Sequence, residues 1–169
     1  MIIVCDSGAL SHLWQIDLWP AFAVFDEIHL PAQVANEVQQ HVDLDQLKNF
    51  TQLQTHTITP LQIESAQQVQ PQDVRLQLAD LSVVALARSL THDLVLTDDL
   101  DLRRALEGQG FRPMGSVGVL IHAYKTNQID QALLGQAIDK LFTQSTLYLS
   151  PQFKSYVRRL IASQFDNPE

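Results

Sequence analysis

Short β-rich runs, each followed by a stretch with helical spacing, constrain the fold of this chain more than any other feature. IIVC (2–5) shows no apolar–polar alternation, as expected of a central strand covered on both faces. EIHL (27–30), DLVLT (93–97) and FRPMG (111–115) read as further strands. Ser7 is placed to cap a helix running through Ala9, Leu10, Leu13 and Trp14, and a short helix is expected around Leu18–Phe25. Pro31 suits the first turn of a helix carrying Val34 and Val38. Val83, Val84, Ala87 and Leu90 mark another helix, with Asp80 in its favourable N-terminal turn. DLRRALEGQG (101–110), stopped by glycine, and Ser116 to Tyr124 supply two more.

Strands alternating with helices predict an α/β architecture, a parallel sheet of four to five strands between helical layers. The Gln- and Thr-rich stretch 40–78 is weakly patterned; it suggests two short helices, DLDQLKNF and LQIESAQQV, around an edge strand, QTHTIT. Amphipathic helices near 129–142 and 151–164 close the chain. With no repeat and no clear linker, the expectation is one domain over 1–169, its core at about 1–125 and a helical C-terminal extension from about 126.

Composition removes several function classes. The apolar runs LSVVALA and VGVLIHAY are too short to span a bilayer. MIIVCDSGAL lacks a basic n-region and does not read as a signal peptide. A single cysteine, Cys5, permits no internal disulfide, and a cytoplasmic setting is expected. A formal net charge of −8 argues against a simple basic nucleic-acid coat. It does not argue against an enzyme that holds nucleic acid through metal ions and a few local cations.

Ligands bind beyond the carboxyl ends of the strands in open parallel sheets. Asp6 follows IIVC, and Asp98 and Asp99 follow LVLT. Asp80 opens the helix before LVLT, and Glu37 lies one and a half turns into the helix after EIHL. Taken singly, each has a structural explanation: a cap, a dipole residue or a solvated helix position. Converging carboxylates, however, need a shared proton or a cation. No lysine or arginine sits beside Asp6, Glu37 or Asp80. An oxygen-only donor set suits Mg²⁺ or Mn²⁺ better than Zn²⁺, and such ions serve phosphodiester hydrolysis.

Other motifs are weaker. The six histidines (12, 29, 41, 56, 92 and 122) have no HExxH spacing and read as structural or surface residues. GxSxG, Walker and GxGxxG motifs are absent. Cys5 reads as a small core residue. Arg103 and Arg104 are candidate phosphate or partner contacts. The basic tail KSYVRRL reads first as a solvated helix, with RNA or partner contact the alternative.

The stretches IIVCDSGALSHL, LPAQVANEV, LADLSVVALAR and LVLTDDLDLRRALEGQGFRPMGSVGVL together resemble the PIN domain, over roughly residues 1 to 125. The likeness is greatest to its stand-alone prokaryotic branch, which contains VapC-like toxins of toxin–antitoxin pairs. The resemblance implies a three-layer α/β/α Rossmann-like fold and Mg²⁺- or Mn²⁺-dependent endoribonuclease activity. It also implies RNA as substrate, an antitoxin as partner and a homodimer, with no membrane. Asp6, Asp80 and Asp99 would hold the metal and Glu37 would orient or deprotonate the attacking water. Ser7 and Thr97 would steady the carboxylates. The common Thr-x-Asp form selects Asp99 and leaves Asp98 to cap the next helix or assist, although some relatives carry the doublet, which keeps Asp98 among the metal candidates. The rival readings are a PIN-like partner-binding subunit without activity, a phosphoryl-accepting receiver and a dehalogenase-type phosphatase. Gly8 stands where the phosphatase would need a second aspartate, and FRPMGS lacks the lysine of a receiver.

Overall fold

The computed structural model describes residues 1–166. Five strands form one all-parallel sheet: β1 (Ile2–Cys5), β2 (Glu27–Pro31), β3 (Gln52–His56), β4 (Leu94–Leu96) and β5 (Pro113–Met114). Their spatial order is β3-β2-β1-β4-β5. The most apolar run is therefore central: Ile3 pairs with Ile28 on one side and Leu94 on the other. Ile3, Val4 and Cys5 are fully buried, as expected for a strand covered on both faces.

Nine α-helices flank the sheet among the described residues. They are α1 (Ser7–Gln15), α2 (Ala32–Val38), α3 (Leu44–Leu47), α4 (Pro60–Gln68) and α5 (Leu78–Ser89), then α6 (Leu100–Gly108), α7 (Ser116–Lys125), α8 (Gln131–Thr143) and α9 (Pro151–Asp166). A 3₁₀ helix occupies Trp19–Val24. The result is the three-layer α/β/α arrangement, with α5 packed on β1 and β2, α1 touching α2 and α7, and α8 joining α7 to α9. Buried side chains from Ile3 to Ile161 form one contiguous cluster, to which Ile129, Leu134, Ile138 and Leu141 contribute.

Three local expectations are corrected. Asp6, not Ser7, holds the N-cap position of α1, with Ser7 already helical. Pro31 ends β2 and precedes α2 instead of lying in its first turn. The edge strand lies two residues earlier than QTHTIT, because Thr59 is committed to capping α4. Its hydroxyl accepts from the Gln62 amide, and the Gln62 side chain accepts from the Thr59 amide.

The strand order reverses between β1 and β4, since later strands are added on opposite sides of β1. The carboxyl ends of these two strands therefore flank the switch point, where open α/β sheets leave a crevice.

Candidate metal and nuclease site

A cavity of about 580 Å³ opens at this switch point. Asp6, Glu37, Asp80, Asp98, Asp99 and Asp101 all line it, and neither lysine nor arginine does. Sequence separation up to 95 residues is thus closed by topology: β1 delivers Asp6, β4 delivers the doublet, α2 delivers Glu37 and α5 delivers Asp80.

Asp6 is only 5% exposed. Burial pushes its pKa up to about 6, assisted by the charge of Asp80. The amides of Ser7 and Gly8 and the Thr97 hydroxyl favour its charged form without cancelling the desolvation. Thr97 Oγ1 donates to Asp6 Oδ2 at 3.2 Å, while Ser7 Oγ stands 3.4 Å from Oδ1. Asp80 is also raised, first by burial and then by the charges of Asp99, Glu37 and Asp101, against a lowering bond from the Gln77 amide at 2.7 Å. Two raised carboxyls thus share a cavity that, among the described residues, neither lysine nor arginine lines.

The doublet divides its work differently from expectation. Asp99, not Asp98, caps the following helix: its Oδ1 accepts from the Leu102 amide at 2.7 Å. Asp98 points between α1 and α7 instead. It accepts from the Ser116 amide at 2.8 Å and from the Ser116 hydroxyl, and it meets His12 Nδ1 at 2.7 Å. Burial alone would raise its pKa, but the His12 and Ser116 bonds bring it below the ordinary aspartate value. Gly115 is required for this: a Cβ there would lie 2.7 Å from Asp98 Oδ1. Asp98 is thus largely satisfied by the protein, whereas Asp99 spends one oxygen on its cap bond and lines the cavity with Asp80.

Arg103 turns inward rather than toward the cavity, donating to the carbonyls of Pro113 and Thr97 at 3.3 and 3.4 Å. Arg104 is exposed, 3.9 Å from Asp101. His12, Ser116, Gln77, Asp101 and the 146–148 segment also shape the site, and sequence reading missed them. A signal existed for His12, which lies one helical turn after Gly8 on the α1 face that meets Asp6 and Asp98.

A family model described as PIN domain matches residues 2–163. The chain belongs to the PIN-domain family. The match runs through 40–78 and past residue 125, beyond the motifs that carried the resemblance. No curated protein and no solved structure matched the chain. Membership in the PIN family points to nuclease chemistry as the activity class.

The donor set suits the divalent cation of such chemistry: hard carboxylate oxygens, partly solvated, without a competing ammonium or guanidinium. Among the described residues, no three carboxylate, imidazole or thiol groups are yet drawn together at coordinating spacing. Asp80 and Asp99 each accept a backbone hydrogen bond, from the Gln77 and Leu102 amides. No described helix is long and apolar enough to cross a membrane.

Proposed function

We propose that the protein is a metal-dependent endoribonuclease, with Asp6, Asp80 and Asp99 holding Mg²⁺ or Mn²⁺. The observation that carries this reading is the convergence of six carboxylates on one cavity that no lysine or arginine lines. A phosphodiester could not approach such a cavity unaided, because like charges in a partly buried site repel strongly. A bound divalent ion would offset the substrate charge, favour ionisation of a water and stabilise the departing oxygen.

The chain's own side chains do the remaining work. Asp6 and Thr97 form a fixed floor, since the hydroxyl orients one carboxylate oxygen of Asp6 while Ser7 Oγ stands beside the other. Glu37, exposed at the cavity wall, is the base that takes the proton from the attacking water. Attack at phosphorus breaks the bond to the 3′-oxygen, which leaves with a proton from solvent. The products are a 5′-phosphate and a 3′-hydroxyl. Asp98 is a positioning residue that fixes α1 and α7 around the site through His12 and Ser116.

The test is cleavage of RNA with Mn²⁺, with chelator and by Asp6→Asn and Asp99→Asn variants. Cleavage should require the ion and vanish in both variants; wild-type rates in both would end the proposal. A toxin role would follow from an adjacent reading frame whose product covers the acidic cavity and stops the cleavage.

A further inference from the structure

Every segment that walls the acidic cavity brings a carboxylate, except one. The β1–α1 junction gives Asp6, α2 gives Glu37, α5 gives Asp80, and the β4–α6 junction gives Asp98, Asp99 and Asp101. The strap 144–150, between α8 and α9, gives Thr146, Leu147 and Tyr148. Its surroundings in sequence share this character. Residues 140–165 hold Lys140, Lys154, Arg158 and Arg159 and neither aspartate nor glutamate, in a chain of net charge −8. An anionic phosphodiester chain that crosses the rim of the cavity meets the least repulsion over this wall.

The strap belongs to no helix or strand, and its amides are satisfied by side chains. Among the described residues, Thr146, Leu147 and Tyr148 make no backbone–backbone hydrogen bond. The Leu147 amide donates to Ser145 Oγ at 3.2 Å, and that hydroxyl donates to the Leu141 carbonyl at the end of α8. The Thr146 amide donates to Gln15 Oε1 at 2.8 Å, across 131 residues of sequence. Its hydroxyl stands 3.2 Å from both atoms of the same side-chain amide. Among the described residues, Gln15 is the one residue outside the C-terminal extension that hydrogen-bonds the strap.

Gln15 closes α1, and Gly8, His12 and Gln15 recur at i, i+4 and i+7 on one face of that helix. Gly8 and His12 line the acidic cavity. One helix therefore carries a wall of the site at its start and the tie to the strap at its end. Gln15 is exposed, so fixing it against a single residue costs side-chain entropy that solvent would spare. We propose that Gln15 is a positioning residue of the nuclease site: through Thr146 it holds the strap as the uncharged wall over which the phosphodiester chain enters. It touches no reacting atom. The inference rests on the proposed nuclease reading and adds to it the side from which substrate is admitted.

The test is steady-state RNA cleavage by the full chain in saturating Mn²⁺, beside amide exchange at Thr146 followed by NMR. Gln15→Met keeps the length of the side chain and removes its hydrogen bonds. It should raise KM about fivefold with kcat little changed, the pattern of lost uniform binding. The Thr146 amide should exchange about fivefold faster. Gln15→Glu offers the same amide an acceptor and should restore its protection, yet KM should stay raised because the wall is now charged. Gln144→Met alters a strap side chain that makes no hydrogen bond among the described residues, and should change neither quantity. Wild-type KM in either Gln15 variant overturns the inference, as does an equal rise in Gln144→Met. A fall in kcat at unchanged KM overturns it too, since the strap would then act on the chemical step. No cleavage by wild type, with Thr146 exchange as expected, would sink the nuclease reading and leave the tie in place. Asp6-dependent cleavage with wild-type KM in Gln15→Met would sink the positioning role alone.

Discussion

The Thr97 hydroxyl donates to Asp6 across 91 residues of sequence, from the end of β4 to the end of β1, at 3.2 Å. The same oxygen accepts from the Asp99 amide at 3.0 Å. One fully buried hydroxyl thus sets the spacing between two of the proposed metal ligands. Thr97→Val keeps the shape and removes both bonds, leaving a buried carboxylate oxygen and an amide unpaired. It should lower unfolding free energy by about 1–3 kcal/mol and depress cleavage, with Thr97→Ser recovering most of both. Urea titration beside a rate assay checks this; a valine variant with wild-type rate would show that the hydroxyl is only structural.

The raised pKa of Asp6 has a consequence for stability. Its folded value of about 6 exceeds the ordinary aspartate value of 3.8, so the fold favours the protonated form. This stability is present below pH 3.8 and is lost as pH rises through about 6. Asp80, raised in the same direction, adds to the trend. In chelator at pH 7, Asp6→Asn should therefore be more stable than wild type, by about 3 kcal/mol as an upper figure. The gain should shrink toward pH 4. Denaturant midpoints of the two proteins at several pH values decide it, and a pH-independent difference would contradict the assignment.

Metal binding should reverse that penalty. Mn²⁺ at about ten times its dissociation constant should stabilise the protein by about 1.4 kcal/mol, seen as a rise in Tm of about 3–6 °C. Chelator should remove the rise, and Asp6→Asn should not show it. A manganese-insensitive Tm in wild type would count against the site.

Gly115 tests the positioning role of Asp98. Gly115→Ala places a Cβ 2.7 Å from Asp98 Oδ1, against a carboxylate already fixed by Ser116 and His12. The expected cost is about 1–3 kcal/mol from overpacking and displaced hydrogen bonds. Gly135→Ala, where a Cβ would meet nothing within 4 Å, is the matched control and should be neutral or slightly stabilising. Equal midpoints for the two variants would remove Asp98 from this role.

Asp6 and the doublet could be placed at one edge because strand ends in a parallel sheet face it; Glu37 and Asp80 lie on α2 and α5, and only the topology brings them to the same cavity. The division of labour within the doublet was not legible. It depends on Gly115 and Ser116 arriving beside β4, a tertiary fact that no local pattern carries. His12 was passed over with the other histidines because its partner lies 86 residues away. The reading as structural suits His29 better, buried in a row with His56 and Glu27. In residues 40–78 the two short helices and the edge strand were legible in order, but the strand's bounds were not, because β3 has mostly exposed polar side chains and shows little alternation. The tail gave its helices by amphipathic spacing, but not that Thr146, Leu147 and Tyr148 would reach the acidic cavity.

The central place of β1 also sets an order in time. Its neighbour β2 follows within thirty residues, but β4 begins only at Leu94, and the Thr97 contact to Asp6 closes only then. At synthesis rates of about 5–20 residues per second, the first wall of the acidic cavity waits several seconds for the second. The 146–148 rim arrives later still. A ribosome making this chain therefore carries, for most of its transit, a nascent polypeptide whose acidic residues have no common cavity, so any activity that needs all of them waits for the end of synthesis.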